Sequence, residues 1–320
     1  MKLLYDHGKG DVYRNSIKWL DSEDEELLAT AIMAVGNFAR NDENCIAIVK
    51  EGISKKLIDL LSKYSSNTPN IKLLHGLLST LKNLVVPNAN KSIILEEGLI
   101  KSMEPVLQLD NDIVIFKLLG TLRLVIDGQE EAAKDLISRK SFLQKLVEWY
   151  ENTYHLGVKR EVSRLLAWLI KSCHSWESMC NILQTERALN CLVSMFSSED
   201  VIMENEALIS LNILATLTWQ TNESNTEGNI STETNFKLKF EEQMDQTHIE
   251  TVIPYVRIFA HSEPMLRNLI SLLEKLFQSK RILDRFKEKR ISEILQENSK
   301  CVTSQNCLGG IQKLISLLSA

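Results

Sequence analysis

The sequence predicts an all-α protein of stacked helical units, and three observations predict it. The first is a shortage of chain-breaking residues. The 320 residues include only 12 Gly and 5 Pro, against a combined share of roughly 12% in average globular proteins. Turns between strands consume both residue types, so a β-rich fold is disfavoured. The second is spacing. Apolar residues recur three, four and five apart along most of the chain, which places them on one side of a helix. The third is recurrence. Val35, Leu81, Leu122, Leu166 and Leu211 share one register, at intervals of 46, 41, 44 and 45 residues. A period of about 40–47 residues carrying two or three helices is the armadillo/HEAT signature. The expected architecture is therefore a right-handed superhelical solenoid. It is a single array over residues 1–320 with about seven helical units at that period. Each unit is too small to bury its own apolar face, so stability comes from the interfaces between units.

The elements follow in order. Residues 21–26, Asp-Ser-Glu-Asp-Glu-Glu, can cap and charge a helix start. Leu27, Ile32, Val35 and Phe38 then form the first stripe. Gly52-Ile53 leads into Leu57 and Ile58. Leu73, Leu77, Leu81 and Leu84 form the second stripe, and Pro87 sits where it should stop. Gly98-Leu99 leads into Met103 and Val106. Phe116, Leu119, Leu122 and Val125 form the third stripe, Val162, Leu165, Leu166 and Leu169 the fourth, and Leu208, Leu211 and Leu214 the fifth. From about residue 221 to 246 the pattern fails in a run rich in Asn, Ser and Thr, read as a flexible polar insertion. Periodicity returns at Ile249, Val252 and Val256, and again at Leu266, Leu269, Leu272 and Leu276. The last apolar residues, Leu314, Leu317 and Leu318, read as a capping helix.

Several function classes are disfavoured. The formal net charge of -5 argues against a general nucleic-acid binder and suits a basic protein partner. The six cysteines form no C-x-x-C pair, which reads as a reduced, intracellular setting. The first residues carry no apolar stretch of signal-peptide length, and no uncharged apolar window approaches 18 residues, so no transmembrane helix is expected. The phosphate-binding, dinucleotide, zinc-protease and nucleophile-elbow motifs are all missing. No catalytic residue, cofactor or metal is expected. Cys173-His174 with Cys180 lacks a fourth nearby ligand for zinc. Cys45 and Cys191 read as buried helix residues.

Asn37 and Asn83 are the informative polar residues. They share a register in successive units, inside otherwise apolar helices where Asn is a poor choice. Two readings stand side by side. An amide ladder on a concave face can bond the extended backbone or a switch-like loop of a partner. Alternatively, each amide satisfies a carbonyl between repeats. Arg40 and Lys82 lie close by, and Lys117 and Arg123 extend the polar track along the next unit. Lys280, Arg281, Arg285, Lys287, Lys289 and Arg290 form a basic group, read as an exposed helical face or a contact for membrane phosphates. A second class of function is a scaffold binding an extended peptide, of the importin type. Such scaffolds show a longer Asn ladder paired with tryptophans, and Trp149 and Trp168 do not recur at that spacing.

Family-specific strings sit on this pattern. They are residues 34–42, Ala-Val-Gly-Asn-Phe-Ala-Arg-Asn-Asp, followed by Asn44-Cys45; residues 116–123, Phe-Lys-Leu-Leu-Gly-Thr-Leu-Arg, with Ile126-Asp127; residues 146–149 and 155–158; and residues 203–208, Met-Glu-Asn-Glu-Ala-Leu. In these strings the chain resembles the armadillo-repeat small-GTPase GDP-dissociation stimulators, the SmgGDS family. The resemblance runs from about residue 1 to 215 and more weakly through 260–300. It matches the C-terminal half of the family's usual length, without the N-terminal repeats associated with the prenylated tail. The resemblance implies binding of Rho-, Rap- or Ras-type small GTPases in the GDP-bound or nucleotide-free state. It implies guanine-nucleotide exchange, chaperoning of polybasic, prenylated GTPases, or both. It implies a cytoplasmic protein with nuclear or organelle association. It also implies that Asn37 and Asn83 lie in the GTPase-contacting surface.

Overall fold

A computed structural model describes residues 2–66, 68–173, 175–219, 230–258 and 262–319. Among these residues every regular element is helical. The chain forms two compact units, Met1–Ala133 with Asn152–Glu161, and Lys134–Glu151 with Val162–Ala320.

The first unit contains α1 (Lys2–Tyr5), α2 (Asp11–Trp19), α3 (Glu25–Phe38), α4 (Asp42–Lys50), α5 (Ile53–Ser65), α6 (Ile71–Leu84), α7 (Asn88–Glu96), α8 (Leu99–Met103) and α9 (Asp112–Val125). A short polar side chain starts each long inner helix. Asp24 accepts from the amides of Glu26 and Leu27, at 2.9 and 3.1 Å. Asn70 accepts from Leu73, and Asn111 from Val114, both at 3.1 Å. Each cap satisfies amides that have no partner within the helix. Between α4 and α5, and between α7 and α8, the chain turns at Gly52 (φ +76°) and Gly98 (φ +96°), a conformation glycine adopts without strain.

Helices α3, α6 and α9 pack in sequence, α3 on α6 and α6 on α9, burying Val35, Leu81 and Leu122. Gly36 sets the closeness of the first contact, because a Cβ there would lie 2.6 Å from Thr80 Oγ1. The Thr80 hydroxyl donates across the interface to Ile32 O at 3.1 Å. One unit on, the Thr121 hydroxyl donates within its own helix to Lys117 O at 2.7 Å and lies 3.2 Å from Leu78 O of α6. The rings of Tyr5, Tyr13 and Phe38 seal the start of the unit, with centroids 4.9 to 5.7 Å apart. Tyr13 also donates to Glu51 at 2.7 Å.

Helix α10 (Glu130–Ser138) leads on to the second unit, which contains α11 (Lys140–Asn152), α12 (Leu156–Ser172) from Val162 onward, α13 (Trp176–Gln184), α14 (Ala188–Val193) and α15 (Val201–Trp219). The remaining helices are α16 (Ile230–Gln243), α17 (Gln246–Ile258), α18 (Glu263–Leu276), α19 (Lys280–Glu288), α20 (Ile291–Ser299) and α21 (Gln305–Ser319). Leu208, Leu211 and Leu214 of α15 and Leu269, Leu272 and Leu273 of α18 are all buried where these two helices pack.

The stretch at 221–246, expected as a flexible polar insertion, differs in its second part. Residues 221–229 lie outside the described residues. Residues 230–243 form α16, with Phe236 and Phe240 buried. Phe236 meets Trp176 at 4.3 Å and Phe240 meets Trp219 at 5.4 Å between centroids. Two phenylalanines four residues apart are enough to anchor a helix whose composition is otherwise polar.

The α3–α6 contact has no room for a methyl group at Gly36. Gly36→Ala is expected to lower stability by about 1–3 kcal/mol, the usual cost of overpacking. Urea unfolding would measure this, and an unchanged midpoint would refute the contact.

Candidate functional site

A groove of about 530 Å³ runs along the exposed faces of α3 and α6 in the first unit. Met33, Asn37 and Arg40 border it from α3 and its C-terminal end. His75, Ser79 and Asn83 border it from α6, and Ile113 closes it from α9. The spacings of three and four residues put each set on one face of its helix. Met33 and Ile113 are 55% and 56% exposed.

The two asparagines have different fates. Asn37 is exposed, and its Oδ1 accepts from Arg40 Nη2 at 3.0 Å. Asn83 is half-buried, and its Nδ2 donates to Gly36 O at 3.0 Å. That carbonyl is among the last four of α3, which have no acceptor duty within the helix. Asn83 therefore ties α6 to α3 while it borders the groove. The Cys45 thiol lies 3.5 Å from Asn83 O, and burial pushes its pKa up to about 11. Asn83 thus follows the second reading, an amide that satisfies a carbonyl between repeats, while Asn37 stays at the surface.

The predicted cations also divide. Arg40 is exposed, and among the described residues it has no carboxylate partner. Lys82 and Lys117 are half-buried, each with Nζ 5.8 Å from the centroid of Phe116. Arg123 does not extend the surface track as expected. It is 6% exposed and gives Glu161 a two-point bond, at 2.9 and 3.2 Å. A buried guanidinium requires such a carboxylate, so Arg123 belongs to the frame. His75 has its pKa lowered by burial, and the nearby Lys117 charge lowers it further. Ser79 Oγ, in the groove wall, is closed to solvent and has no hydrogen-bond partner.

One feature escaped sequence reading. Ile113 and Leu156 stand exposed in the first turns of α9 and α12, and Ile71 is half-exposed in the first turn of α6. They recur at 42 and 43 residues. In the second unit Val201 and Ile202 take the same position on α15. The available signal was an apolar residue directly inside a polar cap, as in Asn70-Ile71. Tyr154, fully exposed, precedes α12 in a loop that Thr153 ties to Asp112 at 2.7 Å.

The second unit has its own polar contacts. Ile213 stands where Asn37 and Asn83 stand in their units, but Asn212 beside it donates to Asn268 O at 2.8 Å and accepts from Lys275 at 2.9 Å. Burial lowers the pKa of Lys275. Glu206 accepts from Arg164 and from Trp168 Nε1 at 2.8 and 2.9 Å. The basic group at 280–290 is partly engaged, with Arg285 on the carbonyls of Glu241 and Met244 and Lys289 on Glu250. His174 of the suggested metal cluster lies outside the described residues. Among those described, no three His, Cys, Asp or Glu side chains gather as metal ligands. Among the described residues one helix, α15, has the length and apolarity to cross a membrane. Its Leu208, Leu211 and Leu214 are buried in the second unit's core.

No protein-family model matches the chain. Over 227 residues it is 40% identical to Rap1 GTPase-GDP dissociation stimulator 1-A of Xenopus laevis, covering 71% of this chain and 37% of that protein. Over 231 residues it is 36% identical to the GTPase-GDP dissociation stimulator vimar of Drosophila melanogaster, covering 63% and 36%. The chain thus spans little more than a third of these relatives. Among solved structures it resembles a designed armadillo repeat protein, with a TM-score of 0.63 at 16% identity, over 82% of this chain and 98% of that one. Armadillo repeat proteins designed for modular peptide recognition give 0.62 at 17%, with the same coverage. At such identities the likeness establishes the armadillo fold.

The two asparagines are separable by mutation. Asn83→Ala is expected to lower stability by about 1–2 kcal/mol, because it leaves the Gly36 carbonyl unpaired. Asn37→Ala at the surface is expected to change stability by less than about 0.5 kcal/mol. Denaturant midpoints compare them, and equal losses would contradict the assignment.

Proposed function

We propose that this homologue of the GTPase-GDP dissociation stimulators binds a small GTPase of the Rho, Rap or Ras kind through its first unit. The observation that carries the reading is the groove itself. It sets the exposed Asn37–Arg40 pair beside the exposed apolar side chains of Met33 and Ile113. Exposed aromatic, arginine and large apolar side chains next to a concavity are the usual anchors of protein interfaces. Lys82 and Lys117 flank this surface around Phe116. Asn83 and Arg123 hold the helices that present it. The relatives' names supply the partner class.

Release of GDP needs no acid–base pair. A protein that binds the nucleotide-free GTPase more tightly than the GDP form shifts the equilibrium by the ratio of the two affinities. A tenfold preference supplies about 1.4 kcal/mol toward release. The chain would act as a regulator in this scheme. A chaperone role for GTPases with a polybasic, prenylated tail belongs to the same proposal. Its support is the net charge of -5 and the exposed carboxylates of Glu23, Glu25 and Glu26 at the start of α3.

The test is release of labelled GDP from a panel of Rho, Rap and Ras proteins, with gel filtration for complexes. Faster release from at least one member, with a stable nucleotide-free complex, is expected. Arg40→Ala should then weaken binding by about 5–30-fold, the range of an interface anchor. A complex without faster release would leave a scaffold. Unchanged release and no complex would end the GTPase reading.

A further inference from the structure

The apolar residues at the starts of α9 and α12 form an edge beside the groove. Ile113 is 56% exposed, Leu156 70%, and Tyr154, two residues before Leu156, is exposed completely. The three are brought together by specific bonds. The Thr153 hydroxyl donates to Asp112 at 2.7 Å, which holds the loop before α12 against the first turn of α9. The His155 ring lies 6.1 Å from the Phe116 ring of α9, and its Nδ1 accepts from the Val158 amide at 3.2 Å. Tyr154 is thus clamped on both sides by residues whose own side chains are engaged. Its ring projects from a fixed backbone, so little chain entropy is lost when a partner covers it. A clustered, preorganised apolar edge of this kind marks a protein contact.

The charge around the edge specifies the partner further. The chain is acidic overall, yet α6, α9 and residues 156–161 hold six Lys or Arg and only two carboxylates, Asp112 and Glu161. Both carboxylates are engaged, Asp112 by Thr153 and Glu161 by Arg123. Lys82 and Lys117 each bring Nζ to 5.8 Å from the centroid of Phe116, the ring against which His155 rests. Lys117 is half-buried and has no carboxylate partner among the described residues. An ammonium placed in this way favours a carboxylate supplied from outside. The cations and the apolar edge share one aromatic support, so one partner surface meets both.

We propose that this edge docks on a folded, acidic surface of the GTPase, with Tyr154 seated in an apolar depression whose rim supplies a carboxylate to Lys117. The inference rests on the GTPase reading and names the part of the partner that is held. Shape selects a folded surface, because a projecting tyrosine needs a pocket to receive it and an extended segment offers none. Charge complementarity selects an acidic rim over a basic one.

Photocrosslinking in the complex with the nucleotide-free GTPase from the release assay tests the proposal. The photoreactive amino acid p-benzoylphenylalanine in place of Tyr154 should crosslink to the GTPase. Mass spectrometry should place the bond on its folded domain, beside an Asp or Glu. The same group in place of Lys50, exposed on α4, should give no crosslink. Tyr154→Ala should weaken binding by about 10–30-fold, the loss of an interface anchor, while Tyr154→Phe keeps it within about threefold. Lys117→Glu should weaken binding by about tenfold. Replacing the carboxylate beside the crosslink with Lys on the GTPase should then restore it, an outcome that loss of structure cannot produce. No crosslink from position 154, a crosslink into a flexible tail, or native affinity in Tyr154→Ala and Lys117→Glu would overturn the edge assignment and leave the GTPase reading standing. If no GTPase binds the native chain, the proposal falls together with that reading.

Discussion

The contact of α3 with α6 is the constraint on which the first unit depends. Helices of 14 residues are marginal on their own in water. They persist here because each buries its apolar stripe against the next. Gly36 brings the two backbones close enough for Thr80 to reach Ile32 O and for Asn83 to reach Gly36 O. Thr121 of α9 comes to 3.2 Å from Leu78 O of α6, while it donates to Lys117 O in its own helix. These bonds run from side chain to main chain, so they fix the spacing and rotation of neighbouring helices. Apolar packing alone would leave both looser, because it has no direction. The same rotation turns Met33, Asn37 and Arg40 outward. Core and groove are two faces of one contact.

Charge follows the same division. Arg123 and Glu161 are both buried and bonded at two points, so either one alone would be an uncompensated charge in the interior. In the second unit Glu206 gathers Arg164 and Trp168 in a comparable way. Arg40 differs from these residues in its exposure and in having a neutral neighbour. Its guanidinium keeps the capacity to meet a carboxylate that the buried pairs have already used. Among the described residues no carboxylate lines the groove of this acidic chain, and local charge of one sign favours selectivity and fast encounter.

The fold was legible because its signal is distributed. Val35, Leu81, Leu122, Leu166 and Leu211 are all buried, as the recurring register requires. The site was legible only in part. Asn37 and Asn83 look equivalent in the sequence, yet one faces solvent and the other reaches a carbonyl 47 residues away. Arg123 looks like a surface cation until Glu161, 38 residues away, supplies its partner. Asn212 was passed over because it stands one position off the register of Ile213, and one residue turns a helix by about 100°. Phe236 and Phe240 were hidden by the polar composition around them. Ile113 and Leu156 stand apart from the named stripes, and an apolar residue at a helix start does not itself reveal that it is exposed. For Asn83, Arg123 and Asn212 the deciding partner lies far along the chain, beyond the reach of local pattern.

The central claim is that one exposed face of α3, α6 and α9 meets the GTPase while the outer helices support it. Hydrogen exchange of the chain, with and without a nucleotide-free GTPase, tests this most directly. Added protection is expected in residues 33–40, 71–83 and 112–117, with α4, α5 and α7 unchanged. Protection confined to the outer helices or to the second unit would contradict the claim.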